Sequence, residues 1–258
     1  MRRSRTIQKL RNDELVRICG MGHYIPPYIR HAKKFGYDCI WLDLEHRAME
    51  TREIQALLAF FHLYDVDCML RPPTLEKSRL YRYFEDGASG LMIPHVSTAE
   101  KAQQLVQAVK FPPLGDRGID AAGLDADFSL PDHAAYTQEA NRETFLVVQI
   151  ETPEAVENAN EIAAVEGVDG LFLGPGDLGI RISNQPKCGL TVEIARQKIA
   201  DACQKHGKAW GQPAGTLELL QQLHAQGARL LAQGGDFQGV MKILEECSRN
   251  FDEVGGSS

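Results

Sequence analysis

Two apolar stretches of this chain end in a carboxylate. In the first, residues 145–151, the β-branched run is typical of a buried strand, with Gln149 and Glu151 on one face at its carboxyl end. In the second, residues 170–177, a short apolar run leads through a Gly-rich turn to Asp177. An unpaired carboxylate is costly to bury, so two at successive strand ends need a partner. Hard divalent cations prefer oxygen ligands, and the pair therefore suggests a divalent-metal site.

Three further strand-like runs carry charged or titratable groups at the same end. These groups are Asp43, Glu45 and His46 after the second run, Arg71 at the end of the third and His95 after the fourth. Singly, each has an ordinary explanation: His95 could decorate the rim, Arg71 could pair with an acid, and the helix dipole could favour Glu151. Asp43 and Glu45 are expected on opposite faces of their strand. Five successive strand ends with such groups nevertheless favour one shared site.

The elements that must position these groups alternate along the chain. Strand-like runs lie near residues 15–20, 38–44, 66–71, 90–93, 145–151, 170–173, 207–211 and 229–233. Segments with helical spacing lie at about 25–35, 51–63, 76–86, 98–110, 153–164, 190–206, 215–226 and 236–250. Eight strands alternating with eight helices predict a parallel sheet closed into a (β/α)8 barrel, whose strand ends share one rim. No linker divides the chain, so we expect residues 1–258 to form a single domain.

One long connection, residues 111–144, interrupts this alternation. Its beginning, Phe111 followed by two prolines, cannot be helical, whereas residues 132–142 could form a short extra helix. A connection of this length is usually either functional or disordered. We interpret it as a lid or as a contact between subunits.

Composition excludes several classes of protein. The 258 residues, 43% of them hydrophobic, can bury a large core. A net charge of -7 and the lack of a basic stripe argue against nucleic-acid binding. No apolar run reaches the roughly 18 residues of a membrane span. The six cysteines have no metal-binding spacing, and no signal peptide precedes them, so we expect reduced thiols in a cytoplasmic protein.

Other catalytic strategies lack their signatures. The turn at residues 174–179 does not end in Gly-Lys-Ser/Thr, so it is no phosphate loop, although its glycines would let backbone N–H groups approach a carboxylate. No Gly-x-Ser-x-Gly elbow occurs. A Schiff-base lysine would be needed at a strand end, and Lys208 lies at the beginning of its strand instead. A mechanism that uses a bound divalent metal is therefore favoured over a Schiff-base mechanism.

The strand-end motifs resemble those of the HpcH/HpaI aldolase/citrate lyase family. Its class II, metal-dependent pyruvate aldolases include 2,4-dihydroxyhept-2-ene-1,7-dioate aldolase and 2-keto-3-deoxy-sugar-acid aldolases. The resemblance covers about residues 8–250, and its most specific motifs are Gln-Ile-Glu-Thr at 149–152 and Gly-Pro-Gly-Asp-Leu at 174–178. Weaker matches lie at 41–46, 71–73, 91–94, 111–113 and 117–118.

The resemblance implies a role for each matching residue. Glu151 and Asp177 are similar to the protein ligands of Mg²⁺, Mn²⁺ or Co²⁺ in that family. Arg71 resembles the arginine that stabilises the enolate oxygen, and His46 resembles the base, with Glu85 at the position of its acid partner. Gln149 matches a residue that lines the pyruvate site, and the backbone N–H groups of Gly176 and Asp177 would hold the ketoacid carboxylate.

The chain also departs from the family pattern. Glu85 is longer than the expected aspartate, and Gly176 and Gly179 replace the usual Ala and Ser, which could widen the pocket. The insertion is acidic around residues 120–127, a region expected to help select the aldehyde. Its acids make an anionic aldehyde a less expected substrate.

We therefore predict a metal-dependent aldolase that forms a pyruvate enolate and makes or cleaves 4-hydroxy-2-ketoacids. Its partners would be a small ketoacid and an aldehyde. The alternatives are a citrate lyase-like or malyl-CoA lyase-like enzyme, an oxaloacetate decarboxylase, and a barrel that binds an acidic metabolite without turnover. The resemblance also implies a homo-oligomer, a dimer, trimer or hexamer, with the last helix on a neighbour. That helix could equally cover its own barrel.

Overall fold

The computed structural model describes residues 1–129, 131–185 and 188–255. Within them, every strand lies close to a predicted run. The strands are β1 (Val16–Met21), β2 (Cys39–Asp43), β3 (Asp67–Arg71), β4 (Gly90–Ile93), β5 (Phe145–Ile150), β6 (Gly170–Leu173), β7 (Ala209–Pro213) and β8 (Leu230–Gly235). Each strand pairs in parallel with the next, and β8 pairs with β1, so the sheet closes. The predicted (β/α)8 barrel is confirmed.

Helices surround this barrel. They are α1 (Arg5–Arg11), α2 (Pro26–Lys34), α3 (Thr51–Tyr64), α4 (Lys77–Glu85), α5 (Ala99–Val109), α6 (His133–Glu143), α7 (Pro153–Glu157), α8 (Ala159–Ala163), α9 (Pro175–Ser183), α10 (Val192–His206), α11 (Leu217–Ala225) and α12 (Asp236–Gly255). The helix predicted at 153–164 divides at Asn158, whose side-chain amide donates to the Ser97 carbonyl oxygen at 2.8 Å. The Gly-rich turn begins α9, because Pro175 suits a first helical position that needs no N–H donor.

Apolar side chains fill the inside of the barrel. They belong to Val16, Ile18, Cys39, Met69, Met92, Phe145, Val147, Phe172, Leu230 and Ala232. Ile7 of α1 contacts the same cluster, so α1 covers the amino end of the barrel. Gly90 leaves the space that Phe145 occupies, since a Cβ built on Gly90 would lie 2.0 Å from the phenyl ring. With the interior filled in this way, the carboxyl rim is the end at which polar groups can gather.

The insertion at residues 111–144 starts and ends at the amino end of the barrel, because it joins the end of α5 to the beginning of β5. Between these points it runs along α4, where Asp116 Oδ2 lies 2.7 Å from Lys77 Nζ, and Ile119 and Asp120 line a groove with Ser78 and Arg79. The extra helix predicted at 132–142 is present as α6. Arg117, Asp125 and Tyr136 form a buried cluster beside it, in which the Tyr136 hydroxyl donates to Asp125 Oδ2 at 2.6 Å. Because α4 begins at the carboxyl rim, this segment lies near the outer edge of that rim, and the interpretation as a lid stays a prediction. A contact between subunits stays a prediction.

Helix α12 is the least covered helix in the described part of the chain. Of its 20 residues, Asp236 alone is buried. Its exposed apolar side chains are Phe237, Val240, Met241, Ile243, Leu244, Phe251 and Val254. The alternative in which this helix covers its own barrel is therefore wrong, because a helix that did so would bury these residues.

The cysteines are unpaired. Cys19, Cys39, Cys68 and Cys203 are buried, whereas Cys188 and Cys247 are exposed. Burial raises the pKa of Cys19 to about 11, so this thiol stays protonated at neutral pH. Across the residues that the structure describes, no helix has both the length and the apolar composition needed to span a membrane.

Candidate active site

Arg71, the last residue of β3, connects the groups of the carboxyl rim. Its Nε and Nη2 donate to the two carboxylate oxygens of Asp43 at 3.0 and 2.8 Å, and its Nη1 lies 3.0 Å from Glu45 Oε2. Nη1 also donates to Gln149 Oε1 at 3.4 Å, and the guanidinium stacks over the Trp41 ring. Both acids thus reach Arg71. The expectation that they lie on opposite faces is wrong, because residues two apart in a strand share a face.

Arg71 also controls the charge of Asp43. Burial disfavours the carboxylate, but the hydrogen bonds and positive charge of Arg71 outweigh burial and lower the pKa of Asp43. The backbone N–H groups of Glu45 and His46 donate to Asp43 Oδ1 at 3.1 and 3.4 Å and act in the same direction. Asp43 is therefore an anion that holds both Arg71 and the loop carrying His46.

Glu151 follows β5 and is bound by His95. Glu151 is only 2% exposed. Its Oε2 accepts a hydrogen bond from the His95 backbone N–H at 3.1 Å and lies 3.1 Å from His95 Nδ1. His95 has a left-handed backbone with φ of 55°, and its Nε2 lies 3.4 Å from Glu45 Oε1. One imidazole thus bridges two carboxylates of the rim.

The electrostatic surroundings of Glu151 resist its ionisation. Burial is the largest cause that raises its pKa, and the negative charges of Asp177 and Glu45 add to it, whereas His95 acts in the opposite direction. Gly174 is needed beside this side chain, since a Cβ there would lie 2.5 Å from Glu151 Oε1. Glu151 is therefore a crowded, buried carboxylate that a nearby positive charge would stabilise.

Asp177 lies in the first turn of α9 with its side chain about half exposed. Its Oδ1 lies 2.8 Å from Arg181 Nη1, which also donates to the Glu151 carbonyl oxygen at 3.2 Å. Arg181 therefore connects the ends of β5 and β6. The sequence pattern does not single out Arg181, because residues 174–179 are interpreted as a turn. Helical spacing would have indicated it, since residues four apart in a helix face each other.

Glu151 and Asp177 fit a divalent cation. Their oxygens are the ligand type that hard cations prefer, and the burial that raises the pKa of Glu151 is what a bound cation would offset. In the residues that the structure describes, no three His, Cys, Asp or Glu side chains converge as a metal-binding group. The protein would supply two carboxylates and leave positions for substrate and water.

The predicted pairing of His46 with Glu85 is not made within this chain. His46 is exposed, and its Nε2 lies 3.5 Å from Glu45 Oε2. Glu85 ends α4, and its buried carboxyl lies near the charges of Arg117 and Arg82. The reason is the direction of α4, which runs from the carboxyl rim towards the amino end of the barrel. A pairing with Glu85 would need a second copy of the chain.

This parallel barrel carries four carboxylates, a fixed guanidinium and imidazoles at the carboxyl ends of β2 to β6, which is the organisation of a (β/α)8 enzyme. Groups of this kind stabilise an oxyanion beside a cation. Comparisons with known proteins define the class more closely.

The family model described as HpcH/HpaI aldolase/citrate lyase matches residues 24–242. The hydroxypyruvate/pyruvate aldolase of Deinococcus radiodurans is 36% identical over 225 residues, which cover 84% of this chain and 79% of that protein. The 2-keto-3-deoxy-L-rhamnonate aldolase of Salmonella typhimurium is 35% identical over 228 residues, which cover 86% of this chain and 84% of the relative. The crystal structure of an HpcH/HpaI aldolase from Desulfitobacterium hafniense has a TM-score of 0.89 at 28% identity and covers 97% of this chain and 98% of its own.

The chain therefore belongs to the HpcH/HpaI aldolase/citrate lyase family, as its motifs predict. With aldolase relatives at this identity over most of its length, it is a carbon–carbon lyase of the aldolase type. A more distant barrel, CitE from Mycobacterium tuberculosis, was solved in complex with magnesium, acetoacetate and coenzyme A. At 15% identity, that likeness extends to the fold alone.

Proposed function

We propose that this chain is a pyruvate aldolase that requires Mg²⁺, Mn²⁺ or Co²⁺ and makes or cleaves 4-hydroxy-2-ketoacids through a pyruvate enolate. The observation that carries the proposal is the position of Arg71, whose guanidinium is held by Asp43, Glu45 and Gln149 at the rim that also carries the buried Glu151. The named aldolase relatives support the same chemistry.

Glu151 and Asp177 would hold the cation. When bound, the cation withdraws electrons from the ketoacid carbonyl and makes a methyl proton easier to remove. Arg181 keeps both elements together through Asp177 and the Glu151 carbonyl oxygen. The raised pKa of Glu151 supports its assignment as a ligand, because the cost of ionising it falls when positive charge is near.

The ketoacid would be oriented by the chain's own donors. Gly176 and Asp177 lie in the first turn of α9, where backbone N–H groups have no partner within the helix. Nothing lies within 4 Å of a Cβ built on Gly176, so the space in front of this turn is open to a carboxylate. Gln149 is buried and contacts Arg71, which supports its assignment to the pyruvate site.

Arg71 and His46 would carry the enolate chemistry. The Nη1 contact of Arg71 with Gln149, at 3.4 Å, is its longest, so this N–H is the one best able to turn towards an enolate oxygen. His46 is exposed, and its backbone N–H is held by Asp43. We assign its imidazole to removing a proton from the methyl carbon, and to returning it in the cleavage direction.

The test is deuterium exchange into the methyl group of pyruvate, followed by NMR. Exchange should require Mg²⁺, Mn²⁺ or Co²⁺, stop with EDTA and return when the metal is restored. No aldehyde is needed, so the experiment isolates enolate formation. Absence of exchange with every divalent metal would contradict the proposal. A bulkier ketoacid, a thioester donor or a barrel without turnover would then be the alternatives.

We also propose that the chain forms a homo-oligomer. The support is α12, in which Asp236 alone is buried. Its exposed apolar side chains include Phe237, Val240, Met241, Ile243 and Leu244. An apolar helix face of this size is usually covered by another protein surface. Dimer, trimer and hexamer all stay predictions, as does a cytoplasmic location.

A further inference from the structure

Arg47 follows the proposed base His46 in the loop after β2, and its side chain is held in one direction. A Cβ built on Gly22, just after β1, would lie 2.9 Å from Arg47 Cγ, so the stem of Arg47 occupies the space that this glycine leaves. The guanidinium lies 5.8 Å from the Phe237 ring centroid at the start of α12. Its Nη1 donates to the His46 carbonyl oxygen at 2.9 Å. Three separate elements thus position an exposed cation.

This cation has no carboxylate partner among the described residues. Asp236, which precedes Phe237 in the chain, is already satisfied. Its Oδ2 accepts from the backbone N–H groups of Gly22 and His23 at 3.0 and 2.9 Å, and its Oδ1 accepts from the Phe237 N–H at 2.8 Å. His23 Nδ1 lies a further 2.9 Å from Asp236 Oδ2. A fixed arginine whose Nε and Nη2 make no hydrogen bond to the described residues is suited to bind an external anion.

Arg47 and the proposed pyruvate site lie on opposite sides of the barrel mouth. Glu151 and Asp177 follow β5 and β6, whereas Gly22, Arg47 and Asp236 lie at the ends of β1, β2 and β8. In the closed strand order, β1 lies across the barrel from β5. An acceptor that reacts at pyruvate's methyl carbon would extend from there across the mouth, with its far end towards Arg47.

We infer that Arg47 binds the terminal anion of the acceptor aldehyde and so selects acidic aldehydes. This inference rests on the proposed aldolase function. The acids of residues 120–127 make an anionic aldehyde less expected, but Asp125 is buried against Arg117 and Tyr136, and Asp120 lies in an outer groove beside Arg79. Neither of these two acids contacts Arg71, Glu151 or Arg47. Charge alone defines this terminal anion, so carboxylates and phosphates are separated by experiment.

The test compares two matched pairs of acceptors with pyruvate as the donor. Succinic semialdehyde and butanal differ by a carboxylate, and glyceraldehyde 3-phosphate and glyceraldehyde differ by a phosphate. For the preferred anion, Arg47→Gln should raise KM about tenfold, as expected for a lost charge-assisted hydrogen bond. KM for the neutral partner should change less than about twofold on the same scale. Arg47→Lys should retain part of the preference.

Two further variants distinguish a direct contact of Arg47 with the acceptor from a general effect of positive charge. Gly22→Ala keeps every charge but displaces the Arg47 stem, so it should also raise KM for the anionic acceptor alone. Arg52→Gln removes the same charge from an exposed position in the first turn of α3 and should leave the preference unchanged. An equal effect of Arg47→Gln on charged and neutral acceptors, or the same loss in Arg52→Gln, would overturn the inference.

A binding measurement distinguishes this inference from the aldolase proposal. Succinate and glycerol 3-phosphate, titrated in the presence of saturating pyruvate and Mg²⁺ and followed by saturation-transfer NMR, report on the anion site without turnover. At least one should bind the unmodified protein more tightly than Arg47→Gln, by about tenfold. If pyruvate exchange fails but this difference is present, only the aldolase proposal fails. If exchange occurs and neither anion distinguishes the two proteins, Arg47 is not an anion site.

Discussion

At the scale of residues, Arg71 joins the most contacts at the rim. It uses three nitrogens to bind Asp43, Glu45 and Gln149 while its flat face lies on Trp41. A planar guanidinium can satisfy these directions at once, whereas an ammonium is a point charge on a flexible stem. The site therefore depends on the geometry of Arg71 as well as on its charge.

Arg71→Lys should separate these two contributions. We expect metal-dependent deuterium exchange into pyruvate to fall by a factor on the order of 10², the usual effect of losing one oxyanion donor. Circular dichroism should show that the fold is retained. Arg117→Lys is a matched control, because Arg117 is also buried and paired with an acid but lies at the amino end of the barrel. Equal losses in both variants would mean that general destabilisation, not catalysis, explains the result.

Asp43 should make stability depend on acid pH. Its pKa is lower in the folded protein, because the pairing with Arg71 outweighs burial. Its contribution is therefore fully present above the unfolded carboxyl value of about 3.9 and is lost as the pH falls through the lower folded pKa. Urea unfolding of Asp43→Asn and the unmodified protein, from about pH 6 to 3, should give a shallower decline for the variant. Parallel curves below about pH 4 would contradict the assignment.

At the scale of elements, the closure of the barrel relies on strands that approach closely. Gly211 of β7 pairs with Leu230 of β8, and a Cβ on Gly211 would lie 1.7 Å from the Leu230 carbonyl oxygen. This oxygen belongs to the backbone, so the strands would have to separate. The glycine is therefore a requirement of strand pairing.

Gly211→Ala should lower the free energy of unfolding by about 2–3 kcal/mol or more, a large value for overpacking because backbone must move. Urea denaturation would measure the change. Gly215→Ala is the control, since nothing lies within 4 Å of a Cβ there. Its midpoint should stay close to that of the unmodified protein. A similar loss in both variants would point to a general effect of the added methyl group.

At the scale of the whole molecule, the direction of α4 determines what Glu85 can do. Glu85 lines an outer groove of about 450 Å³ together with Tyr81 and Gly118. A partner copy could enter this groove, whereas His46 of the same chain does not contact Glu85. The predicted dyad of His46 and Glu85 therefore requires two copies of the chain.

If the dyad forms between copies, His46→Ala and Glu85→Gln should each lose pyruvate exchange, and joint refolding of the two should restore part of it. In random pairs, half are mixed and one of their two sites is intact, so about a quarter of the sites should recover. Light scattering must show an oligomer for the experiment to apply, and a monomer would itself contradict the oligomer prediction. Mixed oligomers without recovery would exclude the shared dyad, and a fully active Glu85→Gln would exclude its catalytic role.

The barrel, the residues at its rim and the family can all be predicted from the sequence alone. These follow from local patterns: β-branched runs at regular intervals predict the strands, and charged residues that end them predict one rim, because parallel strands point the same way. The splitting of the helix at Asn158 has no local signal, since it depends on a hydrogen bond to Ser97 in another segment. The start of α9, interpreted as a turn, does have one in Pro175.

The contacts between residues far apart in the sequence are visible in the tertiary structure alone. Closure of the barrel placed both ends of the insertion at 111–144 at its amino end and separated Glu85 from His46. It also brought Gly22, Arg47 and Phe237 together from the ends of three different segments. A local sequence pattern does not indicate these contacts. They depend on the end of the barrel at which each connection lies and on the space that neighbouring side chains leave open.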